Sequence, residues 1–120
     1  MKNHSGVAVV DDDPAVLDSL KFLLEVAGYR VNTYSSATAF LENSAGPLAC
    51  CLILDQHMPG MTGLELAARL RTQGVSIPIL LFSAQLSPAI ITRAAEVGID
   101  KVFGKPPPED ELLSFVNTHY

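Results

Sequence analysis

The run Ala49-Cys50-Cys51-Leu52-Ile53-Leu54 is apolar throughout and stops at one carboxylate, Asp55. A loop marked by Pro59, Gly60 and Gly63 follows directly. A run of about six such residues, too short for a buried helix, predicts a strand covered on both faces, as in a parallel sheet. That strand would carry Asp55 to the C-terminal edge of the sheet, where open α/β sheets bind ligands. Taken by itself, Asp55 could equally begin a turn. The other strand ends decide between the two readings.

Gly6-Val7-Ala8-Val9-Val10 is a second strand of the buried kind, ending in Asp11-Asp12-Asp13-Pro14. Asp13 caps a helix with Pro14 at its first position. Val16, Leu17, Leu20, Leu23, Leu24 and Ala27 recur on one face of it, and Gly28 closes it. Tyr29–Tyr34 alternates like an edge strand. Ser35-Ser36 caps a short helix carrying Ala37, Phe40 and Leu41, which ends before Gly46-Pro47. After Asp55, a helix opens at Gly63 and runs through Leu64, Leu66, Ala67 and Leu70 to Gly74. Ile77–Phe82 is the next buried strand, ending at Ser83, and Ser87-Pro88 starts a helix that closes at Gly98. Lys101-Val102-Phe103 is a brief strand, followed by Lys105-Pro106-Pro107-Pro108. A last helix spans Glu109–Asn117 with Leu112, Leu113 and Val116 inward.

Strand and helix therefore alternate five times, which calls for a parallel sheet with helices on both faces. The expected architecture is a flavodoxin-like (βα)5 domain, strand order 2-1-3-4-5, occupying residues 1–120 as one domain without linker or repeat. A chain of 120 residues can bury a core without staples. Its formal net charge of −5 argues against a nucleic-acid footprint or an anionic-membrane surface. No apolar run reaches bilayer length, and Met1-Lys2-Asn3-His4 lacks a signal-peptide core. Cys50 and Cys51, neighbours on a strand, point to opposite faces and are not expected to form a disulfide. They read as small buried hydrophobes of a reducing, cytoplasmic compartment.

Parallel strands bring their C-terminal ends to one rim. There the sequence delivers Asp11 and Asp12 from the first strand, Asp55 from the third, Ser83 from the fourth and Lys105 just past the fifth. The first and third strands flank the switch point of the 2-1-3-4-5 order, so their carboxylates are expected to meet. Two carboxylates at about 4 Å repel by about 4 kcal/mol at an effective dielectric near 20. A cation is needed, and an all-oxygen set suits Mg²⁺ or Mn²⁺ rather than zinc. A carboxylate beside such an ion, faced by a hydroxyl and an ammonium, is a phosphoryl acceptor in outline. Asp13 reads as a helix cap alone. His57 follows on the loop and is given no role for its ring. His4 and His119, near the ends, are given none either.

At these residues the chain resembles response-regulator receiver domains, the CheY-like family, and within it the FixJ-like subgroup. The matching pieces are Val9-Val10-Asp11-Asp12-Asp13, Asp55 with Met58-Pro59-Gly60-Met61-Thr62-Gly63, Ser83-Ala84 and Lys105-Pro106. Ser19-Leu20-Lys21-Phe22-Leu23-Leu24 and Gly63-Leu64-Glu65-Leu66 point to the subgroup. The resemblance implies that Asp55 takes a phosphoryl group from the phosphohistidine of a sensor histidine kinase. It implies Mg²⁺ held by Asp12 directly, by Asp11 mainly through water, by Asp55, and by the main-chain carbonyl of His57. Ser83 would hydrogen-bond the phosphoryl group, Lys105 would pair with it, and the Lys105-Pro106 bond would be cis. Such domains assist their own phosphorylation and dephosphorylation, switch a surface or dimerise, and usually precede a DNA-binding output domain.

Two positions depart from the family pattern. The switch aromatic expected three residues before the lysine is Val102, and Phe103, one residue later, belongs to the opposite face. Pro107 stands where phenylalanine is common. An alternative reading is thus a receiver-like interaction module with altered switching. A phosphohydrolase with an aspartyl-phosphate intermediate would need a second acid two residues past Asp55, where this chain has His57.

Overall fold

The structure, a computed structural model, describes residues 4–43 and 48–120. Met1 to Asn3 of the N-terminal reading, and the Gly46-Pro47 expected after the short second helix, lie outside the described residues. Five parallel strands form one sheet: β1 Val7–Val10, β2 Val31–Tyr34, β3 Cys51–Asp55, β4 Ile79–Ser83 and β5 Lys101–Gly104. Their order is β2-β1-β3-β4-β5, as expected. The helices are α1 Pro14–Val26, α2 Ala37–Glu42, α3 Gly63–Thr72, α4 Pro88–Val97 and α5 Glu109–His119.

The all-apolar strands are the inner ones. Every residue of β1, β3 and β4 is buried, whereas β2 and β5 at the edges are partly exposed. Alternation then divides the core. Ala8, Val10, Leu52, Leu54, Ile79 and Leu81 face Phe40 of α2, Leu66 and Leu70 of α3, and Ala94 and Val97 of α4. Val7, Val9, Cys51, Ile53, Leu80 and Phe82 face Leu17, Leu20 and Leu24 of α1 and Leu112, Phe115 and Val116 of α5. Each such Leu or Phe removed from water contributes about 1.5–3 kcal/mol. Val102 packs into the first cluster and Phe103 into the second, so the two do lie on opposite faces.

Helix ends follow local chemistry. The Asp13, Ser36 and Ser87 side chains cap α1, α2 and α4, and Gly98 ends α4 at φ +79°. For α3 the cap is Thr62, paired with Glu65 in a reciprocal capping box. Some details differ from expectation; β2 begins at Val31 rather than Tyr29, and α5 runs to His119 rather than Asn117. Ala27 is exposed beyond the end of α1. In α5 it is Phe115, three residues after Leu112, that is fully inward, and Leu113 is half-buried, because i, i+3 and i+4 share a helical face. β4 starts at Ile79 rather than Ile77, since Pro78 has no N–H for the ladder and offers only its carbonyl, to Leu52 N–H.

His4 has a structural task that was not anticipated. Its Nδ1 accepts from Gly6 N–H at 2.9 Å, so Nε2 carries the proton and donates to the Tyr120 carbonyl at 2.9 Å. His119 packs its ring edge-on against Phe115. Cys50 precedes β3 and packs with Cys51 against the same cluster rather than on the opposite face; their sulfurs lie 3.8 Å apart, far beyond a disulfide bond. No helix among the described residues is long and apolar enough to cross a membrane.

Candidate functional site

Strand register sets the site. Val10 is level with Leu54, so the next residues, Asp11 and Asp55, leave adjacent strands side by side. Asp55 is level with Phe82, and Ser83 with Gly104, which places Ser83 and Lys105 one step further along the same rim. All the predicted rim residues therefore converge.

Asp11 is completely buried and Asp55 is 2% exposed, while Asp12 faces solvent. One carboxylate oxygen from each lies within 4.8 Å of the others. Lys105 Nζ donates to Asp11 Oδ2 at 3.1 Å, stands 3.6 Å from Asp55 Oδ2 and lies over the Phe82 ring, 5.4 Å from its centroid. The other Asp11 oxygen accepts from Asp13 N–H at 2.8 Å, which ties the acidic loop to the start of α1. The Lys105-Pro106 bond is cis, as the resemblance implied.

Burial raises the Asp55 pKa above the ordinary carboxylate value. The Asp11 charge adds to the rise, Lys105 and the His57 main-chain N–H oppose it, and Asp12 adds a little more. Burial acts to lower the Lys105 pKa, but its hydrogen bond to Asp11 and the charges of Asp55 and Asp11 outweigh that, and the net shift is upward. One ammonium thus faces three carboxylates. An oxygen-only cluster whose own charges raise the pKa of a member fits a hard divalent cation, and the exposed side of Asp12 leaves room for water ligands. An acidic cluster able to hold a metal is thereby present.

Three features of the rim were not read from the sequence. Gln56 is buried, and its side-chain oxygen accepts from Leu64 N–H at 2.8 Å, while its carbonyl accepts from Gly63 N–H at 3.0 Å. These bonds fasten the end of β3 to the start of α3. Gly63 is required by close approach, because a Cβ there would overlap the Asp55 carbonyl oxygen and come 2.8 Å from Leu81 Cδ1. The His57 ring reaches Ser83, with Nε2 3.0 Å from Oγ. Of the three, only the glycine left a trace in the sequence, as the last of the loop punctuators after Asp55. Beside Lys105, a groove of about 280 Å³ is lined by Ala15, Val16, Ser19, Leu20, Phe82, Pro106 and Pro107. Pro107, noted above as a departure from the family pattern, forms part of its wall.

A parallel 2-1-3-4-5 sheet with this rim defines a class, and the chain belongs to it: residues 7–117 match the response regulator receiver domain family. The chain is 44% identical over 116 residues to the response regulator protein TmoT of Ectopseudomonas mendocina, covering 96% of this chain and 52% of that protein. It is 33% identical over 118 residues to the transcriptional regulatory protein FixJ of Bradyrhizobium diazoefficiens, covering 98% and 58%. Its fold superposes on the Vibrio cholerae chemotaxis protein CheY4 with a TM-score of 0.85 at 27% identity, covering 98% of this chain and all of that one. The chain spans about half the length of the curated relatives it matches. It is a signalling domain of the two-component type, a receiver like those of transcriptional response regulators, and these matches do not favour the interaction module with altered switching.

Proposed function

We propose that residues 1–120 act as one phosphoacceptor unit in which Asp55 receives a phosphoryl group from the phosphohistidine of a sensor histidine kinase. The observation that carries this reading is the buried Asp55 carboxylate, 3.6 Å from Lys105 Nζ and clustered with Asp11 and Asp12 within 4.8 Å. A bond forms from an Asp55 oxygen to phosphorus as the P–N bond of the donor breaks, and the departing imidazole takes its proton from water. Raised basicity makes the carboxylate the better nucleophile. Lys105, held over the Phe82 ring, pairs with the incoming charge, and Ser83 turns its hydroxyl toward a phosphoryl oxygen. Asp11, Asp12, Asp55 and the His57 main-chain carbonyl would hold Mg²⁺ or Mn²⁺, which supplies charge neutralisation among the carboxylates and the transferring group.

The histidine-bearing element of the kinase would dock at the groove lined by Lys105, which pairs with the acceptor. Through the same groups the unit assists its own phosphorylation and dephosphorylation, and it works in the cytoplasm. The readout is a surface of α4, β5 and α5. Helix α4 buries only Ala94 and Val97, so moving it sacrifices little packing. Dimerisation or contact with an output domain that controls transcription follows, without direct nucleic-acid binding by these residues. The test is labelling by a small acyl phosphate with Mg²⁺, read as intact mass. The parent gains one phosphoryl group and Asp55→Asn gains none; equal labelling of both would refute the assignment.

A further inference from the structure

Ser83 is fully buried, and its hydroxyl is fully engaged. Its oxygen lies 2.9 Å from the Gln85 carbonyl and 3.3 Å from Gln85 N. A carbonyl can only accept, so we assign the single hydroxyl proton to it, and the 3.0 Å contact to His57 Nε2 is then made by the imidazole as donor. His57 itself is exposed, on the loop between β3 and α3, and its ring reaches across to Ser83 at the C-terminal end of β4. This contact joins the loop that leaves the acceptor to the strand end that must respond to it.

We infer that the His57 side chain is a latch: it holds the Ser83 hydroxyl in the orientation that serves Gln85 and away from the phosphoryl group. The inference rests on the phosphoacceptor reading of Asp55. A hydroxyl has one proton, so Ser83 can donate to a phosphoryl oxygen only after releasing the Gln85 carbonyl. While His57 donates to Ser83, rotation of the hydroxyl group also forfeits the His57 bond. The resting state is favoured by that bond, and phosphorylation has to overcome it. His57 is therefore a positioning residue acting through Ser83, a task separate from that of its main-chain carbonyl toward the metal.

The test uses beryllofluoride with Mg²⁺ as the phosphoryl mimic, titrated into the whole chain and followed by amide NMR shifts. Loss of one hydrogen bond that exists only in the resting state predicts about 2- to 10-fold tighter binding by His57→Ala. His57→Gln, whose side-chain N–H can still donate, returns toward the parent. In a Ser83→Ala background the His57 substitution has no effect, because the latched group is gone. Without the mimic, the Gln85 amide resonance moves in His57→Ala, which a remote structural change would not produce. Unchanged or weaker binding by His57→Ala overturns the latch, as does an effect that persists without Ser83. A parent that fails to respond to beryllofluoride sinks the phosphoacceptor reading and the latch together. A responding parent with an indifferent His57→Ala sinks the latch alone.

Discussion

Neutralising Asp55 should make the domain more stable at neutral pH in metal-free buffer. At an effective dielectric near 20, the Asp11 charge within 4.8 Å repels Asp55 by at least about 3.5 kcal/mol, and Lys105 at 3.6 Å attracts it by about 4.6 kcal/mol. Asp12 faces water, and its repulsion is screened to about 1 kcal/mol. These charge contributions nearly cancel, so the burial of a carboxylate that is 3% exposed decides the balance, in agreement with the upward direction of its pKa. A buried, incompletely compensated polar group costs about 1–3 kcal/mol. Asp55→Asn keeps the shape and removes the charge, so it should gain about 1–2 kcal/mol, or about 3–8 °C in Tm for a domain of this size. Because the folded pKa is raised, the folded state binds the proton more tightly than the unfolded chain. The parent's stability therefore declines as pH rises from the unfolded carboxylate value, about 3.9, through the folded one. The advantage of Asp55→Asn should be small below that window and reach its full size above it. Paired thermal melts from pH 3.5 to 7.5 with a chelator present measure it. A difference that is independent of pH, or that favours the parent at neutral pH, refutes the electrostatic account.

Added Mg²⁺ should stabilise the parent by mass action, by about 2.7 kcal/mol at a hundredfold excess over Kd and so with a raised Tm, and far less in Asp12→Asn; calorimetry with and without the ion reads both. Gly63→Ala should destabilise by about 1–3 kcal/mol in urea melts, because the new methyl overlaps the Asp55 carbonyl, and it should also slow labelling of Asp55. Lys105→Met removes a charge-assisted partner from both Asp11 and Asp55, so acyl-phosphate labelling should slow about 10- to 100-fold while Mg²⁺ binds more tightly.

The sequence by itself determined the strands, their order and the residues on the rim. Apolar runs of strand length suit the middle of a sheet between two helical layers, and right-handed crossovers in a chain this size favour the observed 2-1-3-4-5 order. The Asp13, Ser36 and Ser87 caps and the closing glycine Gly98 were legible because each satisfies backbone groups a few residues away. Contacts that loop residues make with distant elements were not legible, since a loop path has no periodicity to read. Only the folded chain brings the His57 ring to Ser83, the Gln56 side chain to the start of α3, and His4 to the Tyr120 carbonyl. Likewise the buried charge of Asp55 is set by which groups share its space: Lys105 is fifty residues further along the chain yet 3.6 Å away.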